Sequence, residues 1–225
     1  MIKKLSTYLF LLVALQMFVS CGKNEGTTET ANESTEAVAS VSVPSSLGPK
    51  DYINWIEDPG NGLIADKTIG EFTFSAFYKP LDYLALSDLE IDSTLKEELP
   101  KKIKEYEGMD YFSFRINSNA DQSELLRVGI KEESEYYARL EYFSFKMQND
   151  FKLISGGDTA NCVLYHYERV YGLAPHASFV LGFPKNVNSK NTAKQLLFED
   201  KIFNKGNIYI TIPKEKLNHI PKLEI

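Results

Sequence analysis

Residues 69–78 read Ile-Gly-Glu-Phe-Thr-Phe-Ser-Ala-Phe-Tyr, and the alternation within them decides the fold class. Phe72, Phe74, Ala76 and Tyr78 fall on one side of an extended chain, while Glu71, Thr73, Ser75 and Phe77 fall on the other. Successive side chains of a strand point to opposite faces, so this is a half-buried strand over Ile69–Tyr78. Asp110–Asn117 repeats the pattern, with Phe112, Phe114 and Ile116 opposed to Tyr111, Ser113 and Arg115. Further on, Cys162–Tyr171 and Ser178–Phe183 flank Gly172-Leu173-Ala174-Pro175, which predicts a hairpin with a longer loop. Lys194–Glu199 and Asn207–Ile212 are two more strands, joined through Asn204-Lys205-Gly206, and Pro221–Ile225 closes the chain as an edge strand.

Helical spacing lies between these runs. Pro49 suits the first turn of a helix over Pro49–Glu57, which Asp58-Pro59-Gly60-Asn61-Gly62 then stops. Pro80–Leu86 reads as a helical turn. Thr94–Glu107 reads as a charged helix with Ser93 as its N-cap and Pro100 as a kink or break. Over 132–150, Tyr136, Leu140, Phe143 and Met147 recur at helical spacing, and Phe143, Phe145 and Met147 also fit a strand; the longer pattern favours helix. Gly156-Gly157-Asp158-Thr159 is a turn, and Pro213 opens another helical turn. Runs of strands with short helices between them, and no regular strand–helix alternation, predict an α+β domain built on an antiparallel, sandwich-like pair of sheets.

Composition divides the chain in three. Gly22–Gly48 holds nine Ser or Thr, four Glu and no aromatic residue, too little apolar surface to order itself, and is read with Cys21 as a linker over 21–48. As a flexible coil it would span roughly 30 Å. From Pro49 to Ile225 there are 25 aromatics and no second linker, which makes 49–225 one domain large enough to bury a core unaided. Before the linker, Lys3 and Lys4 lead an apolar run, Leu5–Val19, too short to cross a membrane as a helix.

That run ends in Phe18-Val19-Ser20-Cys21, which resembles the lipobox of bacterial lipoproteins; Phe18 stands where that family usually has Leu. The resemblance implies removal of residues 1–20, acylation of Cys21 and anchoring through two or three acyl chains, enough for stable membrane attachment. Gly22, in place of the Asp that tends to retain such proteins at the inner membrane, implies the outer membrane, facing either the periplasm or the cell surface. Cleavage removes Lys3 and Lys4 and no acid, taking the formal charge from -6 to -8. Such an acidic chain, with 21 Lys and 4 Arg in its full sequence, does not suit nucleic acid. With Cys21 acylated, Cys162 has no partner for an intramolecular disulfide.

Motifs for chemistry are sparse. Cys162, His166 and Glu168 fall on one face of their strand, but Cys162 and His166 are about 13 Å apart along it, too far for a nucleophile–base pair. His166 and Glu168 are the candidate binding pair, against a purely structural role on the sheet surface. Cys162, beside Val163 and Leu164, reads as a small buried apolar residue. His166, His176 and His219 lack metal-ligand spacing, and Asp88-Glu90-Asp92 and Asn117-Asn119-Asp121 lack the Gly and Glu of a calcium loop. No metal and no cofactor is expected. Neither a nucleophile elbow nor a phosphate loop occurs. The expected function is a non-enzymatic binding or assembly module of the cell envelope, held by its lipid and acting on an envelope protein or glycan. The alternatives are an envelope glycan hydrolase using paired carboxylates, which leaves no local signature, and an inhibitor or immunity lipoprotein. Among the tyrosines Tyr136, Tyr137, Tyr142, Tyr165, Tyr167 and Tyr171, any that is exposed is a candidate for ligand stacking.

Overall fold

The computed structural model describes residues 44–120, 124–169, 174–186, 188 and 191–225. The lipobox, Cys21 and linker residues 22–43 lie outside them, as do Asp121 and Tyr171. Ser46–Leu47, read from composition as the end of the linker, forms β1, and Pro49–Glu57 forms α1. The strand expected over Ile69–Tyr78 is two elements, because Ile69 ends β2 (Ile64–Ile69) and β3 runs Phe72–Lys79. Gly70, at φ 60°, takes the first central position of the two-residue turn between them, where a β-carbon would be strained.

After β3 come α2 (Leu81–Ser87), α3 (Leu95–Tyr106) and β4 (Met109–Ser118). Two expectations for α3 need correction. Asp92, not Ser93, holds its start, accepting hydrogen bonds from the Thr94 backbone N–H and hydroxyl at 2.8 and 2.7 Å. Pro100 neither ends nor divides the helix. It lies on the solvent side, where the carbonyl it strands can be hydrated, while Leu95 and Leu99 are buried on the other side and hold the helix down.

The segment 132–150 is helical, as its longer period predicts, though not uniformly so. Glu133–Glu141 is α4, followed by a π-helical turn over Tyr142–Lys146 and a 3₁₀ turn over Met147–Asp150. The wide turn frees the Phe143 carbonyl, which accepts a hydrogen bond from the Tyr165 hydroxyl. The β5–β6 hairpin (Phe151–Ser155 and Asp158–Asn161) turns through Gly156 and Gly157, both at positive φ. Next come β7 (Leu164–Glu168), β8 (His176–Pro184), β9 (Lys194–Asp200), β10 (Gly206–Ile212), α5 (Lys214–Asn218) and β11 (Lys222–Leu223).

These strands make two antiparallel sheets, β2-β3-β4-β8-β7 and β10-β9-β5-β6, plus a small parallel pair, β1-β11. The large sheets pack face to face through aromatic rings. Phe114 of β4 meets Phe151 of β5 and Phe198 of β9 at centroid distances of 5.0 and 5.2 Å, and Phe74 of β3 meets Phe198 at 6.2 Å. Phe72 meets Phe203 in the β9–β10 turn at 4.3 Å. That turn is fixed by Asp200, whose carboxylate accepts from the backbone N–H groups of Ile202, Phe203 and Lys205. The result is the α+β sandwich that the alternation predicts.

Candidate functional site in the outer face of the larger sheet

With the phenylalanines turned inward, the register of the five-stranded sheet lines up what is turned outward. Asp66 of β2 pairs with Ser75 of β3, Ser75 with Arg115 of β4, Arg115 with Ser178 of β8, and Ser178 with Glu168 of β7. Across the strands this row reads acid, serine, arginine, serine, acid. The adjacent row reads Ile64, Phe77, Ser113, Val180 and His166. A groove of about 440 Å³ runs over these rows, lined by Ile64 and Asp66, by Ser75, Phe77 and Lys79, by Ser113 and Arg115, and by Glu168.

Helix α2 touches the lining of the groove through Tyr83. Tyr83 packs edge-on against Phe77 at 5.6 Å, and its hydroxyl donates to Glu57 Oε1 at 2.7 Å. Lys79 Nζ sits 5.8 Å from the Phe77 ring centroid, a cation–π distance. Burial lowers the pKa of this ammonium, and attraction to Glu168 and Glu57 only partly offsets the effect. Arg115 Nε donates to Ser178 Oγ at 3.4 Å. Burial, and then the charge of Arg115, also lower the pKa of neighbouring His176. Among the described residues, none of Asp66, Lys79, Arg115 and Glu168 has an oppositely charged atom within ion-pairing distance. Two cations and two anions therefore share one groove without a direct ion pair between them. At their α-carbons, adjacent members of the acid–arginine–acid row are two strand spacings apart, about 9–10 Å.

Of the pair picked out in the sequence, Glu168 lines this groove, whereas His166 stands on the same exposed face of β7 one row away. Cys162, taken above as part of their strand, precedes β7 and is buried. Its thiol donates to the Leu164 carbonyl, and burial pushes it up to about 11. Asp66, Lys79 and Arg115 escaped the sequence reading, although Arg115 was visible there as an outward residue of its strand. Asp66 and Glu168 sit at opposite edges of the sheet, four spacings or about 19 Å apart at their α-carbons. The carboxylates of a glycosidase stand about 5–9.5 Å apart, so this pair does not fit that chemistry.

A second charged cluster lies inside the sandwich. Lys194 of β9 and Asp110 of β4 are 4% and 2% exposed, with Nζ and Oδ2 2.6 Å apart, and the Tyr78 hydroxyl reaches the other carboxylate oxygen at 3.4 Å. This pair joins the two sheets. The acidic loops read above also do structural work: Asp92 starts α3, and Asp88 accepts from Tyr106 and pairs with Lys102. Among the described residues no group of three or more His, Cys, Asp or Glu could hold a metal ion. Of the tyrosines named as candidates, Tyr137 is 61% exposed; Tyr136 is buried, and Tyr142, Tyr165 and Tyr167 are partly so. No helix among the described residues is long and apolar enough to cross a membrane. No family model, curated protein or solved structure matches the chain.

Proposed function

We propose that this is a lipid-anchored envelope protein whose folded domain is a binding module, with the outer groove of the five-stranded sheet as its ligand site. The observation that carries the reading is the row Asp66-Ser75-Arg115-Ser178-Glu168, with its charges held apart over a floor of Phe77 and Ser113. Charged side chains kept from pairing with one another remain available to a ligand. A rigid sheet sets their spacing in advance, which lowers the ordering cost of binding. The signal and linker support an extended reach from the membrane, with Cys21 as the acylated residue.

Two measurements test this. Full-length protein is mixed with isolated envelope, separated into cell-wall and outer-membrane fractions, and the bound fraction is compared with that of the Arg115→Ala/Glu168→Gln variant. Loss of about tenfold or more in affinity, the order expected from removing hydrogen bonds to charged groups, supports the groove; wild-type binding by the variant overturns it. Metabolic labelling with a fatty-acid analogue should mark the wild type and not Cys21→Ala, and equal labelling of both would remove the anchor from the proposal.

A further inference from the structure

Resting on that reading of the groove, we infer that its ligand is zwitterionic: a peptide terminus or amino-acid-like group whose carboxylate seats on Arg115 and whose ammonium reaches Glu168. Arg115 spends its Nε–H on Ser178, which leaves the terminal edge of the guanidinium without a partner among the described residues. That edge is a planar fork matching a carboxylate in two parallel hydrogen bonds. Two strand spacings away, Glu168 has, among the described residues, no cation within ion-pairing distance, and a ligand carrying both charges can bridge the interval. Lys79, above Phe77, adds a second positive charge to the same groove.

The other ligand classes fit less well. A neutral saccharide lying in the groove would return hydrogen bonds from its hydroxyls but no opposite charge to the four ions whose water it displaces. A polyanion would gain at Arg115 and Lys79 but meet Asp66 and Glu168 on either side, and like charges brought together cost affinity. Only a ligand of both signs compensates the centre and the edge together.

The probe is the dipeptide alanyl-alanine, set against N-acetyl-alanyl-alanine, which keeps only the carboxylate, and alanyl-alanine amide, which keeps only the ammonium. Each is titrated calorimetrically into the full-length protein. The dipeptide should bind at least about tenfold more tightly than either analogue. Arg115→Ala should abolish its advantage over the amide, and Glu168→Gln its advantage over the acetylated form. Arg115→Lys, which keeps the charge but not the fork, should give an intermediate loss, and a thermal melt of each variant reports folding separately. Equal binding of the dipeptide and its acetylated form would overturn the zwitterion in favour of a simple anion. If no dipeptide binds while envelope binding still depends on Arg115, the ligand class is wrong and the groove stands. If envelope binding is also indifferent to Arg115, both fall.

Discussion

Asp110 and Arg115 stand five residues apart on β4, and the odd spacing sends them to opposite faces of the same strand. Asp110 turns into the sandwich, where Lys194 and the Tyr78 hydroxyl meet its carboxylate. Arg115 turns out into the groove, where a serine takes one of its donors and, among the described residues, no carboxylate comes within ion-pairing distance. The interior tolerates ions only when they are paired and hydrogen-bonded, whereas water tolerates them singly. The same strand thus carries a charge spent on holding the fold and a charge left over for a ligand.

The sharpest way to break this contrast is to remove one partner from the interior. Asp110→Ala leaves the Lys194 ammonium buried and uncompensated, and should cost about 3–5 kcal/mol in denaturant unfolding. Asp110→Leu combined with Lys194→Met should recover much of that loss, because an apolar pair of similar volume needs no compensation. A single variant that unfolds at the wild-type midpoint would mean that the pair is not what joins the sheets.

Alkaline titration probes the interior without changing a residue. Burial is the main cause that raises Cys162 from 9.0 to about 11, and Tyr83 and Tyr167 from 10.0 to about 12. An acid with a raised pKa in the folded state keeps its proton longer there than in the unfolded chain. Its contribution to stability is complete below pH 9 for the thiol and pH 10 for the phenols, and is lost as the pH climbs through 11 and 12. Lys79 runs the other way, since losing its proton relieves the cost of burial. The unfolding midpoint should fall as pH is raised from 9 toward 12, and a midpoint that holds steady would mean these groups are more open to water than the structure has them.

The smallest effect is expected in the groove. Arg115→Ala and Glu168→Gln touch exposed side chains that form no ion pair among the described residues, so each should alter stability by no more than about 0.5 kcal/mol. A thermal melt checks this. A loss comparable to that of Asp110→Ala would show that the outward charges also hold the sheet, and would erase the distinction between the two clusters.

Local pattern alone made much of this molecule legible. Alternating phenylalanines in 72–78 and 112–116 assign the inward faces of β3 and β4, because a strand places every second side chain on one side. Pro49 and the Pro-Gly cluster after Glu57 bound α1. The hairpin of β5 and β6 was missed although its Gly-Gly turn was read, since the strands are only five and four residues long and follow directly on a helical period. Tertiary packing also overrode the breaking tendency of Pro100 and opened the π-turn at 142–146, where the Tyr165 hydroxyl meets the freed carbonyl.

The groove was legible in only one part. Glu168 drew attention because a histidine stands two residues before it, yet its neighbours in the groove come from residues 64–79 and 113–115, and its nearest row partner, Ser178, from the strand beside it. Sequence by itself determines which side chains can share a strand face, through the period of two. Which faces meet, and which residues of different strands stand in one row, is decided by strand order and register. Both are set when the aromatic faces of the two sheets close on each other: a slip of one residue would turn Phe112, Phe114 and Ile116 out to water and Arg115 into the core, a cost no local preference could outweigh.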